Sequence, residues 1–224
     1  LLKKINTLNN IRVRISSIEP NLINEEIIDI ISKSNILVPH FHIPLQSGSD
    51  DILKSMKRRY LTKNYRNLIE KINKKIKHAC IGVDVIVGFP GETEKKFNET
   101  VSFLKSINVS YLHVFSYSER ENTEAIKMNN NVPLKIRKYR SKVLRNLSEK
   151  KKRAFYQKNV GLIKKVLFEN QITNGYIYGF SDNYIKIRSK YEPNLKNNFK
   201  YVELNKIEHG DATYASGVLI DIKS

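Results

Sequence analysis

The first half of the chain, to about residue 118, alternates short apolar runs with stretches in which apolar residues recur every three or four positions. The apolar runs read as four strands: Ile11–Ile18, Val38–Leu45, Ile81–Val87 and Val109–Tyr117. Strands that alternate with helices predict βα units and a parallel sheet. Four strands do not close a barrel, so we expect the strand at Ile11 to be an open edge and further strands to precede it.

Polar residues mark the expected helix starts. Asn24, Thr62 and Thr93 each stand where a side-chain oxygen can cap a helix, and Asp51–Met56 reads as a short helix. Pro133 opens a long helix that continues to about Gln157. The expected apolar face of this helix consists of Ile136, Tyr139, Val143, Leu144 and Leu147. Lysines and arginines occupy the rest of its surface, either as a solvated face or as contacts to phosphates.

From Gly161 onward the pattern changes to short β-rich runs separated by Gly, Asn and Asp. The runs are Lys164–Phe168, Gly175–Phe180, Tyr184–Arg188, Lys200–Leu204 and Ala215–Ile220. Five such runs predict a small all-β barrel. The expected organisation is an α/β unit over residues 1–133, a linking basic helix over residues 134–159, and a β-barrel over residues 160–224.

The charge balance points to a polyanionic partner. The 224 residues carry 40 Lys and Arg against 22 Asp and Glu, a formal net charge of +18. Nucleic acid is the first expectation and an anionic membrane surface the second, while compositional drift in an AT-rich genome is the alternative. No apolar run has the length of a membrane span and no signal region is evident, so we expect a cytoplasmic protein without membrane contact. A start at Leu1 suggests the later part of a longer protein.

Two features bear on metal chemistry. Cys80 is the single cysteine, which excludes a disulfide framework and an internal thiolate cluster, and we expect it to be a buried structural thiol. His40 and His42 lie on the same side of a strand and could share a metal ion. Hydrogen-bonded core histidines are the more common arrangement, and we therefore predict no metal site in this chain.

Polar residues follow several of the predicted strands. Gly88 and Gly91 frame the turn after the third strand, where glycines let a ligand approach the backbone and a helix start offers free N–H groups. Gln46 and Ser47 follow the second strand, and Ser16 stands near the end of the first. Each could be an ordinary loop residue. Together, at the carboxyl ends of parallel strands, they predict a ligand site.

Four runs in this order resemble those of the radical-SAM methylthiotransferases. They are Arg14-Ile-Ser-Ser-Ile-Glu-Pro20, His42-Ile-Pro-Leu-Gln-Ser-Gly-Ser-Asp50, Asp84-Val-Ile-Val-Gly-Phe-Pro-Gly-Glu-Thr93 and Tyr117-Ser-Glu-Arg-Glu-Asn-Thr123. The likeness is greatest to the branch that modifies threonylcarbamoyladenosine beside the tRNA anticodon. The branch acting on isopentenyladenosine is similar but less close, and the branch acting on a ribosomal protein usually lacks the Gln-Ser-Gly-Ser-Asp run.

The resemblance implies a partial TIM-type (βα) barrel of radical-SAM type, followed by a TRAM-like β-barrel that binds the tRNA anticodon stem-loop. It also implies S-adenosyl-L-methionine and two 4Fe-4S clusters. The cluster-binding cysteines of the family are absent here, so we expect this chain alone to be inactive and to need the missing N-terminal part of the same protein. The residues expected by resemblance around S-adenosylmethionine are Ser16, Gln46, Ser47, Gly88, Pro90, Gly91 and Glu92.

Aromatic and cationic residues interleave in the β-rich region, as on surfaces that stack bases and neutralise phosphates. Lys186 and Arg188 are the preferred RNA contacts, and Tyr184 and Arg120 are further candidates. A rival hypothesis is a catalytically dead RNA-binding remnant of a decayed gene. The coding sequence upstream of Leu1 distinguishes the enzyme from the remnant. An open reading frame that encodes Cys-x-x-x-Cys-x-x-Cys supports the enzyme, whereas a stop codon supports the remnant.

Overall fold

A computed structural model describes residues 1–8, 11–208 and 214–220 of the protein. Short 3-10 turns at Pro20–Leu22, Glu124–Lys127 and Pro193–Leu195 join the main elements. The helices are α1 (Leu2–Ile5), α2 (Glu25–Lys33), α3 (Asp50–Ser55), α4 (Thr62–Lys75), α5 (Glu94–Ser106) and α6 (Leu134–Gln157). The strands are β1 (His40–His42), β2 (Cys80–Val87), β3 (Tyr111–Ser116), β4 (Ile163–Thr173), β5 (Tyr176–Ser181), β6 (Lys186–Lys190), β7 (Phe199–Glu208) and β8 (Tyr214–Ile220).

Strands β1, β2 and β3 form a parallel sheet in that order, as the alternation of strands and helices predicts. Val83 and Val85 of β2 are fully buried under helices α2, α4 and α5. The alternate residues of the strands point to the opposite side, which we call the inner face. Asp84 and His113 are register partners on this inner face, and Asp84 is only partly buried there.

The prediction of a strand over Ile11–Ile18 is wrong. This segment makes one isolated parallel bridge, from Val13 to Leu37, and has no continuous ladder. Its arginines explain the difference, because the Arg12 guanidinium donates to the Phe180 carbonyl of the β-barrel at 2.8 Å. Arg12, a polar residue of the alternating pattern, therefore contacts the β-barrel instead of pointing into solvent from the face of a sheet.

The second predicted strand is shorter than expected. Regular pairing covers only His40–His42, and the chain then continues to an isolated bridge between Gln46 and Val85. Hydrogen bonds to β2 nevertheless continue on both sides of Pro44, because the Ile43 and Leu45 N–H groups donate to the Gly82 and Asp84 carbonyls at 2.9 and 3.1 Å. The third and fourth strands are confirmed with ends that differ from the prediction by one or two residues.

Two of the three predicted helix caps are confirmed. Asn24 and Thr93 accept hydrogen bonds from the backbone N–H three residues further on, at 2.9 and 3.4 Å. Thr62 is not a cap, since it is the first residue of α4 and its N–H donates to Asp50 Oδ1 at 2.8 Å. The carboxylate of the preceding helix thus satisfies one of the free N–H groups at the start of α4.

Helix α6 packs differently from the prediction at its start. Tyr139 is 59% exposed, whereas Arg137 and Arg140, assigned to the polar face, are each only 3% exposed. Leu144, further along, is fully buried in the sheet core as predicted. The two arginines are buried because carboxylates of the α/β unit pair with them, as described below.

Strands β4 to β8 form a closed barrel in the order β4-β5-β6-β8-β7, as the short β-rich runs predict. All pairs are antiparallel except β6 with β8. Its separate core includes the fully buried Val166, Phe168 and Ile177. Asn183 joins the barrel to the rest of the chain, because its amide donates to the His78 carbonyl at 3.0 Å. Among the described residues, no helix combines the length and apolar character needed to cross a membrane.

Candidate functional site

A cavity of about 600 Å³ lies between the inner face of the sheet, helix α6 and the β-barrel. Cys80 and Tyr111, the first residues of β2 and β3, line it, so it lies at the amino ends of these strands. This cavity is distinct from the ligand site that the sequence predicts at the carboxyl ends of the strands, which stays a prediction. The lining residues are Arg14, Ser16, Ser17, His42, Cys80, Tyr111, Leu112, His113, Ser148, Glu149, Lys152, Phe155, Tyr156, Phe180, Tyr184 and Lys186.

Three titratable side chains meet on the inner face beside this cavity. His42 Nε2 lies 2.6 Å from Asp84 Oδ1, and the His42 and His113 rings are 5.2 Å apart between centroids. Ser17 Oγ lies 3.3 Å from the other ring nitrogen of His42 and so orients the imidazole. These groups offer both donors and acceptors to a ligand in the cavity.

The same three residues have the spacing of a metal site, because ligand atoms from His42, Asp84 and His113 all lie within 4.8 Å of one another. The nearby charges oppose that use. Three cations, Arg14, Lys152 and Lys186, line the same cavity against one carboxylate, Glu149, and the excess of positive charge repels a metal cation. The electrostatics of the cavity therefore favour an anionic or neutral ligand that accepts and donates hydrogen bonds.

His40 does not join His42 in a shared site. Its Nε2 lies 2.8 Å from the Tyr111 hydroxyl, and the residue is 1% exposed. Burial, with smaller contributions from Arg14 and the neighbouring imidazoles, lowers the pKa of His40 to about 3. His40 is accordingly a neutral, hydrogen-bonded core histidine, which is the reading that the sequence favours.

Tyr184, a predicted RNA contact, has its ring covered by protein groups. It stacks on Phe180 with the centroids 4.6 Å apart, and the Arg14 guanidinium lies 4.4 Å from its ring centroid. The His40 ring approaches to 4.5 Å. Tyr184 also has a positive φ of 67°, which costs energy for a residue with a side chain. The stack brings an arginine and the β-barrel together at the cavity wall.

The two cations predicted on the β-barrel have different surroundings. Lys186 lines the cavity, and its Nζ lies 4.7 Å from the Tyr178 ring centroid. Arg188 lies between the rings of Tyr176 and Tyr214, at 4.3 and 4.5 Å, and forms an ion pair with Glu208. Lys186 is therefore the cation available to the cavity, whereas Arg188 is largely neutralised by its partner.

Arg120 lies apart from these residues. It is exposed in the loop after β3, at the carboxyl end of the sheet, and its carbonyl accepts the Thr123 hydroxyl at 2.8 Å. Since the cavity is at the amino ends of the strands, Arg120 does not line it.

The turn after β2 is held by an internal ion pair. Glu92 is 3% exposed, accepts the Gly88 N–H at 2.8 Å and pairs with Arg140 at 2.7 Å. Burial raises the pKa of Glu92, and the hydrogen bonds from Gly88 and Arg140 oppose that rise. The Glu92 carboxylate thus stabilises the turn from inside the protein.

Gly88 and Gly91, both predicted to admit a ligand, differ in what surrounds them. Both have positive φ, 78° and 81°. A Cβ on Gly88 would lie 2.3 Å from Arg137 Cγ, so the group in close approach there is an arginine side chain. A Cβ on Gly91 would meet nothing within 4 Å, and Pro90 between them is buried. Of this turn, only Gly91 leaves open space beside its backbone.

The other residues predicted to contact S-adenosylmethionine differ in their exposure. Ser47 is fully buried, and its hydroxyl bonds to Thr100 Oγ1 at 3.2 Å. Gln46 is partly exposed at a positive φ of 69°. Ser16 is exposed and, among the residues of this predicted set, the one that lines the 600 Å³ cavity.

Several cavity residues were not singled out from the sequence. Tyr111 and His113 stand at alternate positions of the fourth predicted strand, and Lys152 lies on α6. Tyr111 and His113 could be found from the sequence, because they alternate with apolar residues in this run and so lie on one face of a strand. Lys152 had no such signal, because α6 carries cations on most of its surface.

The chain does not provide the ligands of an iron–sulfur cluster. Such a cluster requires several thiolates, and Cys80 is the single cysteine of the sequence. Cys80 is 2% exposed, and burial raises the pKa of its thiol to about 12, so it is an inert core residue. The predicted contacts with S-adenosylmethionine stay a prediction, with Ser16 at the 600 Å³ cavity and Gln46 beside the end of β2. We therefore derive no chemical step through either group.

Solved structures with a related architecture are similar only at a distance. Coproporphyrinogen III oxidase (HemN) from Escherichia coli, described as a radical SAM enzyme, shares 16% identity at a TM-score of 0.47, over 65% of this chain and 32% of its own. Elp3 from Methanocaldococcus infernus shares 14% identity at a TM-score of 0.45, over 86% of this chain and 60% of its own. Similarities at this level carry no conclusion about function.

The sequence comparisons are more informative. Residues 1–104 match the model of the radical SAM superfamily. The threonylcarbamoyladenosine tRNA methylthiotransferases MtaB of Aquifex aeolicus and Bacillus subtilis are 39% and 38% identical over 178 and 180 residues, 79% of this chain in each case. The tRNA-2-methylthio-N(6)-dimethylallyladenosine synthase of Bacillus mycoides is 36% identical over 174 residues, 78% of this chain and 34% of that protein.

The chain spans 42% and 40% of the length of the two MtaB proteins. The residues that match the radical SAM model, 1–104, contain helices α1 to α4 and strands β1 and β2. The chain therefore belongs to the radical SAM tRNA methylthiotransferase family.

Proposed function

We propose that this chain is the RNA-facing part of a tRNA methylthiotransferase that adds a methylthio group to threonylcarbamoyladenosine beside the anticodon. The observation that carries the proposal is the cavity of about 600 Å³ between the inner face of the sheet and the β-barrel. Its walls combine imidazoles, a carboxylate, aromatic rings and cations, which are the groups that recognise a nucleotide. Similarity to two MtaB proteins at 39% and 38% identity supports the choice of substrate.

The cavity has separate groups for each part of an unpaired nucleotide. Its volume is within the usual range of about 300–1,000 Å³ for ligand sites. His42, Asp84 and His113 can form hydrogen bonds with a base or its substituent, whereas Lys152 and Lys186 can neutralise a phosphate. A free nucleobase would need no cations, so this combination favours a nucleotide within an RNA strand.

The proposed division of the chain follows its three predicted parts. Residues 1–133 form part of the radical-SAM barrel, residues 134–159 the linking helix, and residues 160–224 a TRAM-like barrel that binds the anticodon stem-loop. S-adenosylmethionine and two 4Fe-4S clusters act in the complete enzyme, with the cluster ligands in a part of the protein outside this chain. We place the enzyme in the cytoplasm, where tRNA is modified.

Binding of anticodon stem-loops tests the proposal. We expect this chain to bind a stem-loop with threonylcarbamoyladenosine more tightly than one with isopentenyladenosine or unmodified adenosine, as measured by fluorescence anisotropy. His113→Ala and Lys186→Gln should each weaken binding several-fold, while Lys105→Gln, an exposed lysine of α5, should not. Equal affinity for all three RNAs would contradict the assigned substrate, and no binding to any of them would contradict an RNA-facing role.

A further inference from the structure

Helix α6 carries a row of cations on one side. Lys138, Lys142 and Arg145 are separated by four and three residues, so they lie on the same face of the helix. All three are exposed, and none forms an ion pair within the described part of the chain. We call these three residues the α6 cation row. Arg137 and Arg140 of the same helix are in contrast buried and paired with carboxylates.

The α6 cation row borders a cavity of its own. This second cavity measures about 330 Å³ and lies where α6 passes the last residue of β3, Ser116. Every residue that lines it offers a hydrogen-bond donor, and none is acidic. The lining residues are Ser116, Lys138, Ser141, Lys142, Arg145 and Asn146.

The α6 cation row leads along the helix to the 600 Å³ cavity. Lys152, seven residues beyond Arg145, lies on the same helical face and lines the 600 Å³ cavity, as does Glu149, the one acidic residue between them. From Lys138 to Lys152 the helix rises about 21 Å at 1.5 Å per residue. The buried Leu144 anchors the middle of this helix to the sheet core, so the two cavities are held on one rigid element.

Neighbouring like charges on a helix destabilise it. A row of cations is thus more stable when it meets several negative charges at once. A linear ligand with regularly spaced anions meets this requirement, whereas a single small anion would occupy only one end of the row.

We propose that the α6 cation row binds the sugar–phosphate backbone of the RNA strand whose nucleotide enters the 600 Å³ cavity. This inference rests on the proposed function, since it assigns a surface to the RNA of that function. Lys138, Lys142 and Arg145 contact successive phosphates, and the Ser116 and Ser141 hydroxyls add donors beside them. The row contributes affinity without reading sequence, because phosphate contacts position an RNA and do not identify its bases.

Salt dependence provides the test. The triple variant Lys138→Gln, Lys142→Gln, Arg145→Gln is compared with Lys63→Gln, Lys95→Gln, Lys105→Gln, which removes the same charge from exposed positions on α4 and α5. Affinity for the anticodon stem-loop is measured by anisotropy at several salt concentrations. Each phosphate contact that is removed lowers the slope of log K against log salt by about 0.7 to 0.9. We expect the slope to fall by about 2 in the α6 variant and to change little in the control.

The outcomes separate this inference from the proposed function. Equal slopes for the two triple variants, in a protein that binds the stem-loop and is weakened by Lys186→Gln, would overturn the α6 cation row alone. If the unaltered chain does not bind the stem-loop at all, both the α6 cation row and the proposed function are overturned. Thermal unfolding of the α6 variant should occur at the same temperature as in the unaltered chain or slightly above it, because all three side chains are exposed and two like-charge pairs are removed.

Discussion

Arg140 of helix α6 donates to Glu92 in the turn after β2 at 2.7 Å, and their side chains are only 4% and 0% exposed. The same arginine also donates to the Glu92 backbone carbonyl at 2.8 Å. This pair fixes the position of α6 against the sheet, and α6 in turn provides walls for both cavities. Beside the 600 Å³ cavity, the Ser148 hydroxyl of α6 donates to the Leu112 carbonyl and accepts the Leu112 N–H, each at 2.8 Å, so the helix is held to the sheet in both places.

Removal of one partner from this pair should destabilise the protein strongly. Arg140→Met leaves the Glu92 carboxylate buried without its cation, and such a change typically costs about 3–5 kcal/mol. The free energy of unfolding in urea measures the effect. Lys142→Met, two positions further along on the exposed side of α6, should cost less than about 0.5 kcal/mol. A similar small cost for both variants would show that the buried pair does not hold the helix.

Gly88 and Gly91 offer a matched comparison within one turn. Alanine at either position meets the unfavourable left-handed backbone region, at about 1–2 kcal/mol. At Gly88 the new methyl group would also collide with Arg137 Cγ, at 2.3 Å, while at Gly91 it would meet open space. Overpacking typically adds about 1–3 kcal/mol. We expect urea unfolding to show Gly88→Ala as the less stable of the two, and equal losses would mean that Arg137 moves away freely.

Local patterns predicted the elements of this fold, but not the site between them. The strand–helix alternation and the five β-rich runs follow from short-range apolar periodicity and are confirmed. The position of the β-barrel depends on contacts such as that of Arg12 with the Phe180 carbonyl, 168 residues away. No periodicity carries that information, so the prediction of a strand at Ile11–Ile18 is wrong and the cavity between the sheet and the β-barrel is not foreseen.

The burial of two arginines of α6 likewise does not follow from local sequence patterns. A charged residue is almost never fully buried unless it is paired, and the sequence alone does not reveal the partner. Arg137 and Arg140 are buried because Glu119 and Glu92, remote in sequence, meet them. The candidate residues at the strand ends were placed on the correct turns, yet Glu92 and Ser47 use their polar groups within the protein.

The buried His40 should make the protein sensitive to acid. Its pKa is about 3 in the folded state against 6.5 for the free group, so the unfolded chain binds a proton more readily below pH 6.5. Stability should fall by about 1.4 kcal/mol for each pH unit from 6.5 down toward 3, and this group should have no effect above 6.5. Urea unfolding at pH 7, 6 and 5 measures the slope.

Two variants isolate the contribution of His40 from those of His78 and His113, whose pKa values are also lowered. His40→Gln should flatten the dependence on pH by the amount due to this one group. Tyr111→Phe removes its hydrogen bond but keeps the imidazole, so stability should drop at every pH while the slope remains. An unchanged slope in His40→Gln would contradict the role of burial at this position.

Reconstitution with iron and sulfide should leave this chain without a cluster. Cys80 is buried, with a pKa raised to about 12, and no second cysteine exists to complete a ligand set. We expect no visible charge-transfer absorption and no protein-bound iron after desalting, with Cys80→Ser indistinguishable from the unaltered chain. Stoichiometric iron that disappears in Cys80→Ser would contradict the structural role assigned to this thiol.

The two β-barrel cations should separate RNA binding from stability. Lys186 lines the cavity with only the Tyr178 ring beside its ammonium, so Lys186→Ala should weaken stem-loop binding several-fold with little effect on unfolding. Arg188 interacts with two tyrosine rings and with Glu208, so its removal abolishes two cation–π interactions and leaves a carboxylate unpaired. Each cation–π interaction is worth about 0.5–1 kcal/mol, so Arg188→Ala should lower the unfolding free energy by about 1–2 kcal/mol.

Because Glu208 already balances its charge, Arg188→Ala should weaken RNA binding less than Lys186→Ala does. The reverse order of affinities in anisotropy measurements would show that the RNA contacts the tyrosine face of the barrel and not the cavity.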